Sequence, residues 1–148
     1  MSFQRSLQYS IALVIANVLI GLIAHGANII FLPIVIIACT STIFLANNEY
    51  DIFKKAIALY FILAAQDILN RFIYLALTGD NVDFEGEAWN LALSAMGIAP
   101  SILIIIGKSI FSKEVKLSKR IITPIIFTLM FIIHFGIFQI VIHTIQRQ

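Results

Sequence analysis

Asp67 and Arg71 stand four residues apart inside an otherwise apolar run, AIALYFILAAQDILNRFIYLAL, residues 56–77. An ionisable group deep in a bilayer costs about 2.5–3.5 kcal/mol on insertion scales, so such groups face protein or water rather than lipid. On a helix, residues four apart are neighbours, and a carboxylate and a guanidinium at that spacing can pair. Pairing reduces the cost of both charges. A carboxylate so placed could instead line a water-filled path or hold an ion or a proton.

Other polar residues join this pair. At about 100° per residue, Tyr60, Gln66, Asp67, Asn70, Arg71, Tyr74 and Thr78 fall within one arc of about 140°. Ile57, Phe61, Ala64, Ile68, Phe72 and Leu75 take the other side. The pattern predicts a helix that is polar toward protein and apolar toward lipid. Gln66, Asn70 and Tyr74 carry the polar face beyond what one salt bridge needs. His134 lies near the middle of another apolar run. Histidine titrates near neutrality, so with Asp67 it would form a proton relay if the fold brought them together. His143 reads as interfacial.

The elements that must hold these groups are membrane helices. Of 148 residues, 60% are hydrophobic and 12% charged, against about 25% charged in soluble domains. The apolar residues come in blocks too long for a soluble core. No polar stretch has room for a catalytic or nucleic-acid-binding domain, and no partner nucleic acid is expected. Five spans can be drawn: Leu7–Ala24, Ile29–Ala46, Ala56–Leu77, Trp89–Phe111 and Ile121–Ile145. A crossing helix needs about 20 residues, with about 17 as the lower end. The first two runs are too long to cross once as a single helix, so they predict a tight hairpin. A re-entrant pair is the alternative. Arg5 before an apolar run, then Ala24-His25-Gly26, loosely imitates a signal peptide. The segment is read here as a span.

Lysine and arginine set the orientation. Arg5, Lys54, Lys55, Lys113, Lys116, Lys119 and Arg120 fall on one side of a five-span drawing, with Lys108 reaching toward the same side. The connection TGDNVDFEGEA, with Asp80, Asp83, Glu85 and Glu87, falls on the other. The amino terminus is predicted inside and the carboxyl terminus outside, in the cell membrane. Trp89 and Tyr74 mark the outer interface, and Tyr9 and Tyr50 the inner one.

Two stripes predict close helix packing. Ser10, Asn17, Gly21 and Asn28 recur at intervals of seven, four and seven, and Asn90, Ser94, Gly97 and Ser101 line the fourth span. Small and weakly polar residues at such spacing let membrane helices approach and hydrogen-bond. Pro100 lacks an N–H and predicts a kink in the fourth span. Pro33 sits near the start of the second span. Thr123-Pro124 looks like an N-cap followed by proline at the first helical position. Cys39, alone in the chain, reads as a small apolar filler within Cys39-Thr40-Ser41-Thr42.

Phosphate-loop, zinc-protease, dithiol and nucleophile-elbow patterns are absent. His25, His134 and His143 lack zinc-ligand spacing. The chain is therefore expected to be neither an enzyme nor a cofactor or metal protein. The reading is an all-α polytopic bundle forming one transmembrane domain over residues 1–148. Its expected role is an oligomeric channel or transporter-type subunit. Two alternatives stand: an accessory or scaffold subunit of a larger membrane complex, and a membrane-perturbing effector. The expected partners are the bilayer and either further copies of the chain or other membrane subunits.

Overall fold

The computed structural model describes residues 1–24, 27–46, 51–78, 84–111 and 116–145, with side chains described over 1–24, 27–46, 51–73, 88–111 and 116–137. Tyr50, Lys113, the acidic residues at 80 and 83, and Arg147 lie outside the described residues; the side chains of Tyr74, Thr78, Glu85, Glu87, Gln139 and His143 lie outside the described side chains. Five helices follow one another: α1 (Phe3–Ile23), α2 (Asn28–Leu45), α3 (Ile52–Thr78), α4 (Phe84–Phe111) and α5 (Leu117–Ile145). α1, α2, α4 and α5 are long and apolar enough to cross a membrane. α3 has the length, at 27 residues, but Lys54, Lys55, Asp67 and Arg71 reduce its hydropathy.

Local signals explain the starts. Ser2 caps α1, its Oγ accepting from the Arg5 amide at 3.4 Å. Asp51 caps α3, its carboxylate accepting from the Phe53 amide at 3.4 Å. A side-chain acceptor at this position satisfies amides that have no partner within the helix. At the far end of α2, Lys55 is buried and donates to the Ala46 carbonyl at 2.9 Å. A cation there offsets the negative end of the helix dipole.

The helices begin earlier than their apolar runs. α4 takes in Phe84–Ala88 from the acidic connection, which the sequence reads as an irregular turn. α5 starts at Leu117, not at Pro124, and Pro124 lies inside it. Thr123 does not cap: its Oγ donates back to the Lys119 carbonyl at 2.7 Å. Arg120 bonds its amide to the Lys116 carbonyl at 3.2 Å, so the first turn is already closed before the proline. Asn28, read as the last member of the α1 stripe, is the first residue of α2. α4 continues as helix through Pro100.

α2 lies at the centre of the bundle. It packs most extensively on α4 and α1, and α3 packs on α5, α1 and α2. Its core residues include Leu32, Ile36, Cys39 and Ile43, joined by Leu59, Ile105 and Phe127. Large apolar side chains cover the outside, among them Ile15, Ile30, Phe61, Phe72, Met96, Leu103 and Ile132. A protein in water would bury such a surface; hydrocarbon is its natural solvent. α3 follows the inside-out pattern closely. Gln66, Asp67, Asn70 and Arg71 are buried while Phe61, Ile68 and Phe72 are exposed. Ala64 departs from the pattern and is buried.

Two glycines set the closest approaches. A Cβ on Gly97 would lie 2.9 Å from the Pro33 Cα and 2.9 Å from the Ile36 Cβ. A Cβ on Gly21 would lie 2.6 Å from the Asn28 side chain. Beside Gly97, Ser101 Oγ donates to the Gly97 carbonyl at 2.9 Å. Thr40 Oγ lies 2.8 Å from Ser101 Oγ and 2.8 Å from the Ile36 carbonyl oxygen. Ser94 is buried on the same seam.

Candidate functional site

The site forms where α3, α4 and α5 meet. Asp67 is 5% exposed and lies at its centre. Arg71 Nε donates to Asp67 Oδ2 at 2.9 Å, from one turn further along α3. His134 of α5 brings its Nε2 to the same oxygen at 3.0 Å. Asn90 of α4 brings its Nδ2 to the other oxygen, Oδ1, at 3.5 Å. Three helices thus converge on one carboxylate.

Aromatic rings close the α5 side. Tyr60 and Phe131 meet edge to face at 5.3 Å between centroids, and Tyr60 lies 6.2 Å from the His134 ring. Phe135 stacks edge-on to His134 at 5.6 Å. These rings hold the imidazole and lower the local dielectric. In such surroundings each hydrogen bond to the carboxylate is stronger than in water, and an unpaired charge is costlier.

A second polar layer lies beside the first. Asn28 Nδ2 donates to Asn70 Oδ1 at 2.8 Å and so links α2 to α3. Asn17 of α1 and Gln66 of α3 are each 2% exposed or less. Neither amide atom of either residue has a hydrogen-bond partner. Asn70 Nδ2 and Asn90 Oδ1 are in the same position.

The structure thus brings together Asp67, Arg71 and His134 of the sequence candidates, with Gln66 and Asn70 on the adjoining turn. Tyr74 lies outside the described side chains. Asn17, Gly21, Ser94, Gly97 and Ser101 lie on buried helix faces, and Pro100 is half-buried. Two contributors go beyond the sequence candidates. Asn90 reads as one of a packing stripe, yet its amide faces Asp67. Asn28 reads as the last member of the α1 packing stripe, yet it ties α2 to α3. The signal for Asn90 is present in the sequence: asparagine in an otherwise small-residue stripe is the group most in need of a polar neighbour.

The site also lies nearer one end of the bundle than its place in α3 suggests. The start of α2 comes level with Asn70, because Asn28 touches both Asn70 and Gly21. Asp67 is therefore about 5 Å below the start of α2, at 1.5 Å per residue. The cause is the shortness of the hairpin, 21 and 18 residues beside the 27–29 of the other helices.

Chemically, the centre holds one carboxylate, one guanidinium and one imidazole. With the imidazole neutral, the three sum to zero charge; with it protonated, to plus one. Among the described residues, histidine, cysteine and carboxylate side chains do not gather in threes as a metal site needs. The fold and the site define a small all-helical membrane protein with a buried polar centre. No protein-family description, curated protein or solved structure matches the chain.

Proposed function

We propose that the chain crosses the bilayer five times and serves as a channel- or transporter-type subunit that handles a proton or small ion at Asp67. The observation that carries this reading is the double engagement of Asp67 Oδ2 by Arg71 and His134. A lock between helices needs only a pair of opposite charges. The imidazole adds a second proton-bearing group on the same carboxylate oxygen that Arg71 engages, which a lock does not need. Among the groups facing His134 are Asp67 and Tyr60 from α3 and the rings of Phe131 and Phe135 on its own helix.

The five-span arrangement is supported by the burial of every described charge of α3 beyond its first turn, which lets the helix meet lipid with apolar residues alone. The basic connections favour an amino terminus and an Asp51 end inside, with the α1–α2 connection outside. Among the described residues, apolar side chains fill the middle of the bundle, so transport of anything larger than a proton calls for several copies around an axis.

In the scaffold reading the Asp67–Arg71 ion pair is a structural lock and nothing more. Reconstitution separates the two. The purified chain in vesicles with an internal pH dye should dissipate an imposed pH gradient, and Asp67→Asn and His134→Gln should abolish this. A wild-type chain that leaves the gradient intact, folded and correctly inserted, removes the transport reading and leaves the scaffold one.

A further inference from the structure

We infer that the buried amides of Asn17, Gln66 and Asn70 form a hydrated chamber, its ligand internal water, and that it connects the Asp67 centre to Asn28 at the start of α2. Three observations carry it. Asn17 and Gln66 are almost fully buried, and both atoms of each amide lack a partner; Asn70 Nδ2 lacks one too. Buried amides in native proteins nearly always find partners. Five unpartnered amide atoms within one region point to a ligand that both donates and accepts.

The second observation is register. Gly21 and Asn70 are both in contact with Asn28, so they share a level. One turn further from the hairpin turn lies Asn17 on α1 and Gln66 on α3, and these two helices pack on each other. Asn17 and Gln66 thus stand at one level on neighbouring helices. Their amides make no bond to each other.

The third is continuity. Gln66 adjoins Asp67, and Asn90, which reaches Asp67 with its nitrogen, leaves its own oxygen unpartnered. Unsatisfied polar atoms therefore run from the Asn17 level to the carboxylate itself. Water is the ligand that matches them. The amides are neutral and offer donors and acceptors in nearly equal number, while a bare cation would leave every N–H unmet. Water with two to four polar partners is a regular part of protein interiors. The charge of Asp67 is already met by Arg71, so no counter-ion is required there.

The hydration stands or falls by itself; its role as a proton route rests on the reading of Asp67 given above. The test uses the full chain in phosphatidylcholine–phosphatidylglycerol bilayers with nitrogen-15 at side-chain amides. In water-edited solid-state NMR, magnetisation from water should reach the amides of Asn17, Gln66 and Asn70 as fast as it reaches residues at the helix ends. Gln66→Leu and Asn17→Leu should suppress that transfer at the remaining amides and slow proton flux at least tenfold. Their thermal midpoints should stay level or rise, because each removes a polar group that has no protein partner. Gln66→Asn, which keeps an amide, should retain both transfer and most of the flux. Amides that receive no water magnetisation overturn the proposal, as do leucine variants that unfold. Hydrated amides combined with flux indifferent to Asp67→Asn would uphold the chamber and overturn the proton-handling role alone.

Discussion

The α2–α4 seam and the α3–α5 seam hold helices together by opposite means. Across α2–α4 the backbones come so close that Gly97 has no room for a methyl group. The polar groups there are hydroxyls that can bond back into their own helix, as Ser101 does to Gly97 and Thr40 to Ile36. Across α3–α5 the contact is made by large side chains, and its centre is a charge. In hydrocarbon the first kind of seam gains from dispersion, since lipid competes poorly with a close-fitting surface. The second gains from the contact that His134 makes with a carboxylate buried away from water. One seam is tolerant of polarity change and intolerant of size. The other is the reverse.

The largest effect should come from unbalancing the charged seam. Asp67→Leu or Arg71→Leu alone removes one partner of a buried ion pair and should cost about 3–5 kcal/mol. Folded yield in detergent and the unfolding midpoint read this directly. Asp67→Leu combined with Arg71→Leu should recover folded protein, short of about 1–3 kcal/mol for the bonds that His134 and Asn90 then lack. A double variant as poor as the singles would mean that the pair is not what α3 needs. If the recovered variant is also fully active, the scaffold reading prevails.

The size-sensitive seam is broken by one methyl group. Gly97→Ala should destabilise by about 1–3 kcal/mol, the usual cost of overpacking, since Pro33 offers only backbone to move. Gly107, ten residues on in α4, has open space around it. Gly107→Ala should stabilise by up to about 1 kcal/mol through helix propensity. Equal responses at the two glycines would erase the contrast. A smaller effect is expected at the hydroxyls. Ser101→Ala should cost about 0.6 kcal/mol, the mean for hydrogen bonds between membrane helices.

The smallest effect lies outside both seams. Asp51 is held below the usual carboxylate range, first by the hydrogen bond from Lys119, opposed by partial burial, and then by the Phe53 amide. A carboxylate with a lowered folded pKa stabilises at pH above its unfolded value and loses that contribution as pH falls through its folded one. The unfolding midpoint of the wild type should therefore drop slightly as pH falls below about 4. Asp51→Asn should flatten that slope and change little at pH 7, because the pair is exposed.

The helices were legible because membrane spans announce themselves by length and hydropathy. Their starts were not, since Leu117–Arg120 and Phe84–Ala88 are polar enough to look like connections yet are helical. Proline misled at 124 for a related reason. Its missing N–H matters less when Thr123 and Arg120 close the preceding turn by other means. The polar face of α3 followed from 3.6-residue periodicity alone. Which groups would meet Asp67 did not, because His134 and Asn90 arrive from other helices and their depth depends on how the helices are registered. The unpartnered amides of Asn17 and Gln66 were invisible for the same reason: satisfaction of a polar group is a property of the packed structure.

That registration has a simple arithmetic. Lys119 meets Asp51 where α5 and α3 begin. His134 lies fifteen residues beyond Lys119, and Asp67 sixteen beyond Asp51. The two helices run the same way and rise at about 1.5 Å per residue, so counts that differ by one bring imidazole and carboxylate to nearly one height. The exposed pair at the end acts as the zero mark of a ruler whose graduations are helical residues. Deleting one residue from either helix between the two contacts would shift the partner by about 1.5 Å and turn it by about 100°, away from Asp67. Deleting one from each would keep the heights matched and rotate both groups together. The geometry of the buried centre is therefore written in a chain length, and evolution can alter it only in pairs.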